Sequence, residues 1–276
     1  MGQVTDANQV RGSEFRALTR RPLTWILTLL GAALLAVPLG LLAGPLFAGV
    51  GFFTGILAGL VISFAVADHR AKQAFFRSFA DSHDLTWHGS GDLEGSTPLL
   101  RKGDERKADE IFTGQLGEGV EGTLALYTYT DVSTDSDGSR TETDYPFTLI
   151  LTDLPQTVAH LPELRVQSKS GLKMLEGLED RFRMSHERVT LESEVMRDRY
   201  EIFVGKDQDP VWVRRLFSPT FIVWLTDIPP KKFAFELVAG KLCAFVPKHL
   251  DSGEGLEEIM AAGCEVARRL SEEANS

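Results

Sequence analysis

The densest group of residues able to do chemistry lies between Asp131 and Asp144, where Asp131, Asp135, Asp137, Glu142 and Asp144 surround Gly138. Ser133-x-Asp135-x-Asp137-Gly138 follows the alternating oxygen donors and the glycine turn of a calcium loop. It departs from that pattern in two places. Position one is Ser, and position twelve is Asp144 rather than a bidentate Glu. The flanking residues read as strands, not helices. A solvated hairpin tip accounts for the same residues, and no metal site is expected.

Other reactive residues are dispersed. His69, His83, His88, His160, His186 and His249 do not pair at metal-ligand spacing. Cys243 and Cys264 are the only cysteines, and small apolar filling explains them better than redox or metal chemistry. No nucleophile elbow, phosphate-binding glycine loop or dinucleotide fingerprint is present, so no cofactor is expected and catalytic residues stay unknown. Asp207 and Asp209 could touch a ligand, but capping of a helix at Pro210 is the simpler role. Arg214 and Arg215 fit the last turn of a short helix, where positive charge is favourable.

The elements that carry these residues start from an uncharged run. Residues 22–67 contain no Asp, Glu, Lys or Arg. About 20 apolar residues cross a bilayer core of about 30 Å, so this run is long enough for two crossings. Ala43-Gly44-Pro45 is the best break between them, giving spans near 23–42 and 46–67. Pro38 should kink the first span or move the turn earlier. Ala32, Ala36, Gly40 and Gly44 form one small-residue stripe, and Gly51, Gly55 and Gly59 form another. Stripe against stripe inside one hairpin is the simplest pairing. A homo-oligomer built on Gly51, Gly55 and Gly59 is the alternative.

Arg11, Arg16, Arg20 and Arg21 precede the run, and Arg70, Lys72 and Arg77 follow it. Lys and Arg stay cytoplasmic, so both termini should face the cytosol from the cell (inner) membrane. From residue 68 onward there are 25 basic and 37 acidic residues, a net charge of −12. Such a body disfavours nucleic acid and bare anionic lipid.

Along the chain, residues 1–21 read as a flexible tail. Residues 68–84 form a juxtamembrane helix with Phe75, Phe76 and Phe79 on one side. Leu85–His88 is a strand, and Gly89-Ser90-Gly91 a turn. Thr97-Pro98 opens a short helix. The charged residues 100–110 form a turn that leads into a strand through Ile111 and Phe112. Thr123–Tyr129 and Phe147–Thr152 are strands by composition, joined across Asp137-Gly138 as a long hairpin. Leu164–Gln167 is a short strand, and Leu172, Leu175, Leu178 and Phe182 follow helical spacing. Strands follow at Val189–Glu192 and Tyr200–Val204, then a helix at Val211–Phe217. Ser218-Pro219 starts another helix, with a strand as its rival. Lys232–Leu237 and Leu242–Val246 form a second hairpin across Ala239-Gly240. A last helix spans 255–273, with Leu256, Ile259, Met260, Val266 and Leu270 on its apolar face.

Tyr200–Val204, Asp207, Arg215–Phe221, Phe233-Ala234-Phe235 and Lys241-Leu242 together resemble a bacterial family of two-span membrane proteins known only as a domain of unknown function. The resemblance is clearest over 185–250. It implies a membrane hairpin ahead of a cytosolic domain and a helix over Thr220–Ile228, and it brings no substrate or catalytic residue.

The fold class expected is α+β: a transmembrane helical hairpin (22–67), then a cytosolic β-rich domain (85–276) ending in a helix. Two lobes, 85–185 and 186–276, are an alternative division. The expected function is a membrane-anchored binding or scaffold module with the lipid bilayer and a protein as partners. The alternatives are a membrane-tethered enzyme whose site is assembled from distant residues, or, more weakly, a pore subunit. An uncharged hairpin lacks the polar lining that a pore needs.

Overall fold

The computed structural model describes residues 29–34, 36–38, 41, 44–135, 137–159, 163–170, 186–206, 208 and 210–275. The tail 1–21, Gly40, His160, the helical pattern at 172–182, Asp207 and Asp209 lie outside them. The chain divides into two units, residues 1–79 and 80–276.

The described residues of the first unit are almost all helical. Helix α1 (Leu29–Pro38) is short as described. Helix α2 (Pro45–Ser82) has 38 residues, and is long and apolar enough to cross a membrane. At about 1.5 Å per residue it extends about 57 Å. The break falls where Gly-Pro placed it: Gly44 takes a left-handed φ of 94°, and Pro45 opens the helix. The expected second span and juxtamembrane helix are one unbroken helix, because nothing between Ala67 and Ser82 is a helix breaker. Phe75, Phe76 and Phe79 are buried, with Phe75 ring centroids 5.1 Å from Phe76 and 6.4 Å from Phe79.

The second unit is α+β, built on one antiparallel sheet of nine strands. Its strands are β1 (Thr86–Gly91), β2 (Glu105–Gly117), β3 (Val120–Thr134), β4 (Arg140–Asp153), β5 (Glu163–Ser168), β6 (His186–Val189), β7 (Tyr200–Gly205), β8 (Ala234–Val238) and β9 (Lys241–Val246). Their spatial order is β1-β2-β3-β4-β9-β8-β5-β7-β6. Its described α-helices are the short α3 (Glu194–Arg199), α4 (Pro210–Leu216) and α5 (Pro219–Asp227) and the long α6 (Gly253–Ala274).

Most expected elements are present. The β3–β4 hairpin is in continuous register from Thr123↔Leu151 to Thr134↔Arg140, as its β-branched and aromatic residues require. Residues 219–227 are helical, so the strand alternative is wrong there. Phe221 and Leu225 supply the buried face, and Trp224 stacks on Phe221 at 5.4 Å. Helix α6 buries all five expected apolar residues. Its N-cap is Ser252, whose hydroxyl accepts from the Gly255 N–H at 3.2 Å.

Three local expectations fail. Gly89-Ser90-Gly91 is not a turn. Strand β1 continues through it, with register shifts beside Gly89 and Gly91 that suit an edge strand. The charged stretch is strand from Glu105 onward, where it pairs with β3 from Glu105↔Thr130 to Ala108↔Tyr127, and Glu105 forms an ion pair with Arg140 of β4 at 3.0 Å. The strand expected at Val189–Glu192 lies three residues earlier, since Ser193 is already the N-cap of α3.

One sheet face carries α6, where the Ile150 side chain meets Gly263. The opposite face holds a core of Leu99, Leu100, Tyr127, Tyr129, Phe147, Leu149, Cys243 and Phe245. Leu99 and Leu100 come from the irregular segment 92–101, which closes this second face.

Candidate functional site

Direct cross-strand pairing puts Arg165 of β5 opposite Glu236 of β8, and Glu236 opposite Cys243 of β9. All three share the face covered by segment 92–101. Arg165 is 1% exposed, and Glu236 and Cys243 are 0% exposed. The Leu99 N–H donates to Glu236 Oε1 at 2.8 Å. The Thr97 hydroxyl, fully buried, sits beside both the Glu236 carboxyl and the Cys243 thiol without good hydrogen-bond geometry to either. The row continues through Leu151 of β4, and the buried Tyr127 of β3 lies close enough to Glu236 and Cys243 to feel their charges.

Burial dominates the electrostatics of this cluster. It pushes the Glu236 carboxyl above its ordinary range, while the Arg165 charge and the Leu99 N–H pull it down. It pushes the Cys243 thiol well above its ordinary value, and the Glu236 charge adds to that. The Tyr127 hydroxyl is raised by burial too. A reactive cysteine needs thiolate character and access, and Cys243 has neither. The cluster therefore acts as a clasp that fixes segment 92–101 on the sheet. The neighbouring row is also polar. Gln167 donates through Nε2 to Glu201 at 3.2 Å, and Arg188 pairs with Glu201 at 3.1 Å.

The second unit has an open cleft of about 970 Å³ at the end of the sheet nearest the β2–β3 turn. Its charged lining includes Glu94, Glu121, Asp153, Lys241, Arg268 and Glu272. Lys241 pairs with Asp153 at 2.7 Å, and Arg268 pairs with Glu265 and Glu272. Its cations are thus already neutralised by its own carboxylates.

The sequence candidates do not converge. At the hairpin tip, Asp137 Oδ1 accepts from the Ser139 N–H at 3.0 Å, Asp144 Oδ1 accepts from Thr130 at 2.6 Å, and Glu142 pairs with Arg140 at 3.0 Å. Those carboxylates hold the hairpin. Among the described residues, no three His, Cys, Asp or Glu are grouped to hold a metal. The histidines are separate: His186 meets Glu163 at 2.6 Å, His88 meets Thr113 at 2.7 Å, and His249 meets the Tyr127 carbonyl at 3.1 Å. Arg214 and Arg215 occupy the last turn of α4, and Arg215 pairs with Glu273 at 3.4 Å.

Sequence reasoning missed Arg165 and Glu236. The signal was there: each interrupts an apolar run, Leu164-Arg165-Val166 and Phe235-Glu236-Leu237. Period-two alternation assigns such residues to a solvent face, and nothing local reveals that segment 92–101 covers it.

No protein-family model and no curated protein matches this chain. Among solved structures, the crystal structure of the mycobacterial trehalose monomycolate transport factor A, TtfA, is similar over 71% of this chain and 90% of that chain, at 12% identity and a TM-score of 0.46. A likeness at that level carries no argument about what this chain does.

Proposed function

We propose that this chain is a membrane-anchored binding or scaffold module, with a two-helix hairpin in the bilayer and its α+β unit on the cytoplasmic side. One observation carries the reading. Large apolar side chains face outward on the described residues between Leu29 and Val66: Leu34 is 77% exposed, Leu41 82%, Leu46 83% and Phe53 74%. A surface of that kind on a soluble monomer would drive aggregation, whereas in lipid it is the matched surface. The absence of charge over 22–67 supports the same placement, and the basic flanks support cytoplasmic termini. The resemblance to a two-span membrane family points the same way.

For the α+β unit, binding is favoured over catalysis. Its buried cluster is closed to substrate, and its open cleft is lined by self-paired charges. Protease added outside sealed cells should leave residues beyond Ala67 intact and digest them after permeabilisation. Cleavage without permeabilisation would overturn the topology, and recovery in the aqueous fraction without detergent would overturn the anchor. Affinity purification with intact lipid would then identify the partner.

A further inference from the structure

A second, smaller hollow of the α+β unit differs in charge from the body around it. It measures about 160 Å³ and lies where the ends of β5 and β6 meet α3. Lys169, Arg188 and Arg197 line it against one carboxylate, Asp198, and Leu191, Met196, Tyr200 and Ile202 supply an apolar floor. Among the described residues, no carboxylate forms an ion pair with the Lys169 ammonium. Arg188 offers one guanidinium nitrogen to Glu201 at 3.1 Å. Among the described residues Arg197 has a loose partner in Glu194, 3.7 Å away and 87% exposed. Three basic residues thus border one small hollow in a body with a net charge of −12. The body's long-range field does not forbid an anion there, because charges beyond about 8 Å are largely screened at physiological salt.

We infer that this hollow is an oxyanion site of the phosphate class, with Lys169, Arg188 and Arg197 as its donors. The chemistry follows from the residue types. Guanidinium forks match phosphate oxygens, and an ammonium supplies a point charge. The volume lies below the roughly 300–1,000 Å³ of sites for drug-sized ligands. It suits a phosphate group with a short apolar stub and excludes a nucleotide. The same chemistry is offered by free phosphate and by the headgroup of an anionic phospholipid. This inference is independent of the partner proposed above.

The test uses the full chain in nanodiscs of zwitterionic lipid, with lysine acylation read by mass spectrometry. Inorganic phosphate should slow acylation of Lys169 while leaving exposed Lys231 and Lys232 unchanged. Exchange of the lipid for phosphatidylglycerol is the second arm. Protection by phosphate in zwitterionic discs assigns the site to a free anion, and protection in phosphatidylglycerol discs alone assigns it to a headgroup. Protection in neither overturns the proposal. Arg188→Gln with Arg197→Gln should weaken protection by about tenfold, the scale of one hydrogen bond to a charged group. Unchanged protection in that variant, with Lys231 and Lys232 labelled as before, would also overturn it. Failure of the chain to enter discs at all would instead count against the membrane anchor.

Discussion

A Cβ built on Gly55 would stand 2.4 Å from the Cα of Ala32, so the backbones of α1 and α2 are in direct contact at this pair. Gly51 and Ala32 are buried beside it, and Gly59 is half-buried. Two of the sequence's small-residue positions thus meet within one chain. Gly55→Ile should push the helices apart. With Cys243 and Cys264 replaced, cysteines at Ala36 and Gly51 should crosslink within the chain in membranes, and Gly55→Ile should abolish that product. A product that joins two chains would reject the intrachain pairing in favour of an oligomer through Gly51, Gly55 and Gly59, and an intrachain product that persists in Gly55→Ile would reject the Gly55–Ala32 contact as what holds the helices together.

Helix α6 is seated on the sheet through a similar close approach. A Cβ on Gly263 would lie 2.8 Å from Ile150 Cδ1 and 3.3 Å from its Cβ. Leucine there overfills the interface, a change that typically costs about 1–3 kcal/mol. Gly263→Leu should lower the denaturation midpoint of the α+β unit measured by circular dichroism. Substitution of exposed Ala261 by leucine, one turn face away, is the control and should leave the midpoint unchanged within error.

The cysteines provide a test of burial. Cys243 is fully buried with its thiol well above the ordinary range, and burial pushes the Cys264 thiol up to about 11. At pH 7.5 neither holds appreciable thiolate, the reactive form. Iodoacetamide should label both slowly in the native protein and rapidly in denaturant. Fast native labelling of Cys243 would mean that segment 92–101 does not stay closed over the sheet.

The elements legible in the sequence are those whose signal is local. Phe147–Thr152 reads as strand because β-branched and aromatic residues fit a pleated surface. Asp137-Gly138 reads as a turn because Gly138 supplies the positive φ of 85° that the turn needs. Ser218-Pro219 reads as a helix start because proline suits the first helical position. The sheet order was not legible. The pairing of Leu149 with Phe245 joins segments far apart in the chain, and periodicity within either strand says nothing about its neighbour. The clasp was hidden for the same reason. Glu236 looks like the exposed member of an alternating strand until Leu99 is seen to close over it.

That clasp sets a pH dependence of known sign. Burial raises the Glu236 carboxyl above its ordinary value of 4.5 in the folded state, so the folded protein binds this proton more tightly than the unfolded chain. Stability from this group is therefore complete below the unfolded value and falls as pH rises through the folded value. Glu236→Gln keeps an acceptor for the Leu99 N–H but cannot ionise. Denaturation midpoints taken from pH 4 to pH 8 should show the unsubstituted protein losing stability relative to Glu236→Gln as pH rises. Glu236→Leu leaves the buried Leu99 N–H without its acceptor, which costs about 1–3 kcal/mol at every pH. A wild-type stability that instead climbs relative to Glu236→Gln with rising pH would show that Arg165, not burial, controls this carboxyl.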